Sequence, residues 1–334
     1  MNISSTGDLG DVIYLLNIIR QIPGAPHTLC LRSSPTTKAK GPEGVQRMFE
    51  LLEPLVRLQP YIKNIQIIQP GDPVDWKSED FRNSGHYSKG ETLMRAHLKH
   101  LIKMKNIGED FTAAEPWLFG VDPSPRSKGR IVINRTGRYR NERFPWTEIV
   151  AHYRHRLIFV GMHHEWREFI GHHGYVEFQP TTTMLEVAQL IAGSDLFIGN
   201  QSCANAIAEG LKHPLIQETH LEFPDCIYVR SGASHVADGV VTLPDGTVLK
   251  SVRVRKGEKK THTTPPGNWR YNGVASPIFS LLVREVANRE NITTGEAENL
   301  VYDANVERCP EFFADHGEKA QFLRYQQALE NYRL

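Results

Sequence analysis

Apolar residues recur along the opening segment at the spacing of one helical face: Val12, Ile13, Leu15, Leu16, Ile18 and Ile19. A very short strand, residues 1–5, precedes them, and Gly7 and Gly10 lie between strand and helix with Asp8 and Asp11 beside them. The pattern then alternates. Residues 27–32 read as a strand and 44–58 as a helix with Met48, Leu51, Leu52 and Leu55 inward. Residues 62–69 form a strand carrying Ile65, Ile67 and Ile68, and 92–104 an amphipathic helix. The polar stretch 70–90, with Trp76, Phe81 and Tyr87, reads as a long loop of the kind that carries function. Residues 111–125, with their prolines, read as a connection between domains.

A second series of strands and helices follows. Strands are expected at 129–134, 156–160, 175–178, 195–199 and 215–218. Helices are expected at 148–153, 164–171, 183–192 and 206–211, the third with Met184, Val187, Leu190 and Ile191 inward. Two successive α/β units with parallel sheets and right-handed crossovers follow from this alternation. Residues 231–275 break the rhythm, and 240–249 within them read as a hairpin with a Pro-Asp-Gly turn. Arg253, Arg255, Lys256, Lys259 and Lys260 form a basic run, either a solvated hairpin edge or a patch for an anionic acceptor. From Pro277 the chain reads as helical, with amphipathic segments at 278–289 and 320–334.

Composition adds mainly exclusions. With 334 residues the chain is long enough for about two domains. A net charge of +1 gives no global argument for nucleic acid or anionic membrane. The four cysteines, Cys30, Cys203, Cys226 and Cys309, are scattered with no Cys-x-x-Cys, against a zinc site or a disulfide framework and in keeping with a reducing compartment. Neither a leader nor an apolar run of about 18 residues stands out, so a cytoplasmic protein without stable membrane insertion is expected, free to visit a membrane surface.

Three loops carry candidate chemistry, each expected at the carboxyl end of a strand, where open α/β sheets bind ligands. The first holds Thr6, Gly7, Asp8, Gly10 and Asp11. Strand, glycine turn and helix present N–H groups and the positive helix end to an anion, and Asp11 is either a cap or a general base. The second begins at Asn134 and carries Arg135, Arg138, Arg140 and Arg143, guanidinium forks suited to a diphosphate or else solvated charges. The third runs through Asn200, Gln201, Ser202 and Asn205 into a helix, as a phosphate cradle or as simple caps. A dinucleotide-dependent dehydrogenase is disfavoured, because the first turn is not Gly-x-Gly-x-x-Gly and Cys30-Leu31-Arg32 stands where an acidic residue is wanted.

The segment Gly7-Asp8-Leu9-Gly10-Asp11-Val12 resembles the N-terminal motif of the ADP-heptose heptosyltransferases, glycosyltransferase family 9. The stretch from Met184 to Pro214 resembles that family's donor-binding segment, and Phe144-Pro145-Trp146 stands where the family has a similar helix start after a basic loop. The resemblance implies an α/β fold of the GT-B type, two Rossmann-like domains facing a central cleft. An acceptor domain would span 1–120 and a donor domain 121–276, with a hairpin insertion near 238–262 and helices from 277 to 334 packing back on the first domain.

It further implies sugar transfer from a nucleotide-diphosphate sugar to an acceptor hydroxyl, with inversion and without metal or resident cofactor. Asp11 would be the general base, and Gly161 and Glu165 would join the donor site. The acceptor would be a glycan or lipopolysaccharide core, or a modified DNA base reached through the basic run. Where the family has Asp-Ser/Thr-Gly, this chain has Asn200-Gln201-Ser202, which removes a negative charge beside the expected diphosphate. A nucleotide-sugar epimerase of the same shape and a non-catalytic nucleotide-binding module are the alternatives. The oligomeric state is not legible.

Overall fold

The computed structural model describes residues 1–34, 40–82, 92–105, 114–220, 222–251, 270–271 and 274–275. The basic run at 253–260 and the expected helices from 277 onward lie outside the described residues. The chain divides into two compact units. One comprises 1–144, 156–165 and 178–240; the other comprises 145–155, 166–177 and the chain from 241.

The first unit holds an N-terminal sheet built from β1 (Asn2–Ser5), β2 (His27–Arg32), β3 (Ile62–Ile68) and β4 (Trp76–Lys77), in the order β3-β2-β1-β4 with parallel pairing throughout. The crossovers are α1 (Leu9–Gln21) and α2 (Gly41–Val56). β1 needs only four residues because it is central: Ile3 and Ser4 are fully buried, and a strand covered on both faces gains its apolar contacts on each. α1 is buried along residues 12–19, as its periodicity predicts. The stretch expected as one loop after β3 instead contains β4 and a one-turn 3-10 helix, Ser78–Arg82. A two-residue strand is too short to show alternation. Its place is fixed by Trp76, buried with Phe81, and by Glu79, which accepts from Ser4 Oγ and pairs with Arg32. α3 (Leu93–Lys105) then packs on α1.

The second sheet contains β5 (Ile131–Asn134), β6 (Leu157–Phe159), β7 (Glu177–Phe178), β8 (Leu196–Asn200), β9 (Leu215–Glu218) and β10 (Ala233–Val236), in the order β10-β9-β8-β5-β6-β7. From β10 to β6 every pairing is parallel. β10 was not legible in the sequence, because a four-residue edge strand with Ser234 and His235 at its centre carries little apolar signal. The helices are α4 (Trp146–Tyr153), α5 (His163–His173), α6 (Met184–Gly193) and α7 (Cys203–Leu211). α7 starts three residues before the expected 206, with Ser202 as its cap, accepting from Asn205 N at 3.4 Å. In the second unit Trp146 and Phe169 meet edge to face at 5.1 Å. There the Pro-Asp-Gly turn closes a hairpin of β11 (Val240–Thr242) and β12 (Val248–Lys250), with Leu243 N donating to Thr247 O at 2.8 Å. Two further two-residue strands, β13 (Arg270–Tyr271) and β14 (Val274–Ala275), pair antiparallel. The expected architecture, α/β with two Rossmann-like parallel sheets, is borne out.

α1 and α7 pack closely, their starts meeting where a Cβ on Gly10 would lie 3.6 Å from Cys203 Cα. Trp117, fully buried, ties the connection to α1 by donating from Nε1 to Ile13 O at 2.9 Å.

After α7, His213 Nε2 lies 3.1 Å from Ser194 Oγ, and burial, aided by Arg230, lowers its pKa to about 4. An unfolded imidazole titrates near 6.5. The native state therefore favours the neutral ring, and its stabilisation is complete above pH 6.5 and lost as pH falls toward 4. A melting temperature measured across that window should fall in the native protein and fall less in His213→Asn.

Candidate active site

Both sheets present their strand ends to one cavity of about 400 Å³. In the second sheet β5 is flanked by β6 on one side and β8 on the other. The chain thus leaves β5 and β8 in opposite directions, and a crevice opens at this switch point. Thr136, Arg138 and Tyr139 enter the cavity from the segment after β5, and Gln201, Ser202 and Cys203 from the segment after β8. From the first sheet come Asp8, Leu9, Gly10, Asp11 and Tyr14 at the start of α1. Leu93, Phe223, Asp225 and Cys226 complete the lining.

Asp8 occupies the N-cap position of α1 but makes no side-chain cap bond. Its carboxylate instead pairs with Arg138 Nη2 at 3.4 Å. Asp11 stands in the first helical turn, half-buried, at the cavity wall. Its side chain folds over Gly7: a Cβ there would lie 2.6 Å from Asp11 Cβ and 3.0 Å from Oδ2. Gly7 must lack a side chain for the carboxylate to take this position. Thr6 is half-buried just before the helix and does not line the cavity.

The arginine loop is not a floppy set of solvated charges. Arg135 is buried and engages Glu218 through Nε at 3.0 Å and Nη2 at 2.9 Å. Asn141 N donates to the same carboxylate at 2.7 Å, and its side-chain amide donates to Thr219 O and Ala237 O. Arg140 donates back to Thr136 O at 2.9 Å, and Arg143 is exposed away from the cavity lining. Of the four arginines, Arg138 is the one that lines the cavity.

Asn200 and Gln201 set the shape of the surrounding segments. Asn200 is fully buried. Its Oδ1 accepts from Thr136 N at 3.0 Å, and its Nδ2 donates to Thr136 O at 3.2 Å and Arg138 O at 2.6 Å. Gln201 does the same for the segment after β9: Oε1 accepts from His220 N at 2.8 Å, and Nε2 donates to Phe223 O. Two adjacent amides thus clamp two loops. A carboxylate at position 200 has no N–H to offer, so the amide of Asn200 has a direct structural role. Asn200→Asp would press a buried charge against two carbonyl oxygens, at a cost of about 2–3 kcal/mol. A lower denaturation midpoint, together with loss of ligand binding at the cavity, is the expected result.

Other expected site residues hold the scaffold. Asn134 bridges β5, β6 and α7, donating to Val160 O at 2.8 Å and accepting from Ser202 Oγ at 2.7 Å. Gly161, at φ 140°, abuts Asn134 Nδ2, where a Cβ would come to 2.8 Å. Glu165 turns back to Met162 N at 3.0 Å as a cap of α5 and does not line the cavity. Asn205 donates to Tyr14 Oη at 3.2 Å beneath the cavity, while its Oδ1 is buried without a hydrogen-bond partner. Burial pushes the Cys226 thiol up to about 12, with Asp11 and Asp225 adding to the effect, so it is a neutral floor group.

Tyr139, Phe223, Asp225, Cys203 and Cys226 were not picked out from the sequence. Two signals were there: an aromatic set between arginines, and Phe-Pro-Asp soon after a parallel strand. Among the described residues no cluster of three or more His, Cys, Asp or Glu is placed to hold a metal ion. Nor is any described helix long and apolar enough to cross a membrane.

No protein-family model matches the chain, and no curated protein is similar to it in sequence. Among solved structures it is similar to E. coli heptosyltransferase WaaC with ADP, at 12% identity over 71% of this chain and 93% of that one, TM-score 0.48. It is also similar to E. coli ADP-heptose lipopolysaccharide heptosyltransferase II, at 10% identity over 73% and 91%, TM-score 0.46. A family 9 glycosyl transferase from Veillonella parvula follows at 10% identity over 70% and 84%, TM-score 0.44.

Proposed function

We propose that the chain is a GT-B-type glycosyltransferase that moves a sugar from a nucleoside-diphosphate sugar to an acceptor hydroxyl. One observation carries the reading. A carboxylate at the start of α1 and the N-terminus of α7 with Arg138 share a single cavity at a sheet switch point. Separate halves of one displacement reaction need those two environments side by side.

The acceptor O–H gives its proton to Asp11 as its oxygen attacks the anomeric carbon. The bond from that carbon to the donor's phosphate oxygen breaks, and its electron pair leaves with the diphosphate. N–H groups at the start of α7 and the Arg138 guanidinium stabilise the charge that develops there. A single displacement from the face opposite the leaving group inverts the anomeric centre. This chemistry asks for no metal and no resident cofactor. Asp8 pairs with Arg138, and both residues line the cavity.

The acceptor is a hydroxyl on a glycan, such as a lipopolysaccharide core. Incubating the protein with ADP-, UDP- and GDP-sugars and a glycan acceptor, and following nucleoside diphosphate release, tests the reading. Release that depends on acceptor supports it. Interconversion of donor without acceptor would make the protein an epimerase, and binding without turnover a non-catalytic module.

A further inference from the structure

The cavity has an aromatic wall to which the displacement chemistry assigns no role. Tyr139 and Phe223 face each other across two loops, ring centroids 4.9 Å apart, and both line the cavity. Phe223 is 44% exposed, a large apolar surface left open at the cavity. Tyr139 is held at φ 55°, a left-handed conformation that costs a non-glycine residue about 1 kcal/mol or more. Asn200 grips the carbonyls of Thr136 and Arg138 just before Tyr139, and Gln201 grips the carbonyl of Phe223 itself. Both rings are therefore positioned by the same pair of amides. The Arg138 guanidinium lies 5.4 Å from the Tyr139 centroid, on the same loop.

The wall is flanked by carboxylates. Asp11 and Asp225 line the same cavity, and both charges reach the Tyr139 phenol, whose pKa is raised first by its burial. Aromatic faces carry negative charge and attract the C–H edges of a saturated ring. Carboxylates accept hydrogen bonds from hydroxyls that such a ring also carries. A flat apolar face beside acceptor-only groups is complementary to a neutral sugar.

Resting on the glycosyltransferase reading, we propose that Phe223, buttressed by Tyr139, is the platform on which a sugar ring lies, its hydroxyls turned toward Asp11 and Asp225. The wall then determines specificity for an uncharged sugar and keeps its ring in reach of the general base.

Saturation-transfer NMR tests this with three probes: ADP, ADP-glucose, and a panel of methyl hexosides. The expected result is saturation of hexose C–H protons by the native protein. It should fall at least fivefold in Phe223→Ala and in Tyr139→Ala, on separate loops, and persist in Phe223→Trp and Tyr139→Phe. Adenine protons of ADP should be saturated equally in all variants. Loss of adenine rather than hexose saturation in Phe223→Ala would overturn the proposal, because the wall would then hold the base. Saturation of ADP without any hexose signal would overturn it while the donor reading stood. Hexose signal without ADP signal would uphold the platform and remove the nucleotide donor. Silence from all probes would reject both.

Discussion

Asp11→Asn is expected to lower the turnover of sugar transfer by about 10²–10⁴-fold, the usual contribution of a positioned general base. That is about 3–5 kcal/mol of transition-state stabilisation at 1.36 kcal/mol per decade. The amide keeps the size of the carboxylate, so the fold over Gly7 is preserved and melting temperature should hardly move. Affinity for a nucleoside diphosphate should stay the same or rise, because a negative charge leaves a cavity that already contains Asp8 and Asp225. The signature is thus a fall in kcat without weaker donor binding. Steady-state kinetics beside calorimetric titration of the nucleoside diphosphate would separate the two. Turnover within threefold of the native protein would remove Asp11 from the proposed chemistry, and Asp225, which lines the same cavity, would be next to test.

Glu218→Ala carries the largest expected loss of stability, about 3–5 kcal/mol, because it strands the buried Arg135 guanidinium without its partner. Asn141 N loses its acceptor as well. Glu142, 3.8 Å from Arg135, is an exposed side chain that cannot replace a fully buried carboxylate. Removing both charges is a different experiment. Arg135→Met with Glu218→Leu leaves no unpaired ion, and such replacements are often neutral or stabilising by about 1–4 kcal/mol. Denaturant midpoints for the two single variants and the double variant should show the double variant more stable than either single. Additive losses would mean that the pair is not what anchors the arginine loop to β9.

Both predictions concern residues at the ends of regular elements beside the loops, and the loops are where the sequence was least explicit. The helical face of α1 and the buried run of β8 were plain because burial on one face, or on both, writes its period into the chain. β4 and β10 were missed because strands of two and four residues at sheet edges leave no period to read. The division of domains near residue 120 remains a proposal, as does the return of the terminal helices to the first domain. Of the site, the sequence supplied the three loops and their order. It did not reveal which arginine faces the cavity, since Arg135 and Arg138 differ only in partners that lie far away in sequence, Glu218 and Asp8. Nor did it reveal that Asn200 is a frame member, because an amide in a loop gives no hint of the carbonyls it will meet.

The two amides at the end of β8 have a consequence for how the protein will behave in solution. Neutral amides carry no charge to gain or lose between acid and alkali, and no field for salt to screen. The contacts that Asn200 and Gln201 make should therefore not themselves respond to pH or ionic strength. Any response of these loops to pH or salt will then come from the ion pairs beside the amides, Arg135 with Glu218 and Asp8 with Arg138, and not from the amides themselves.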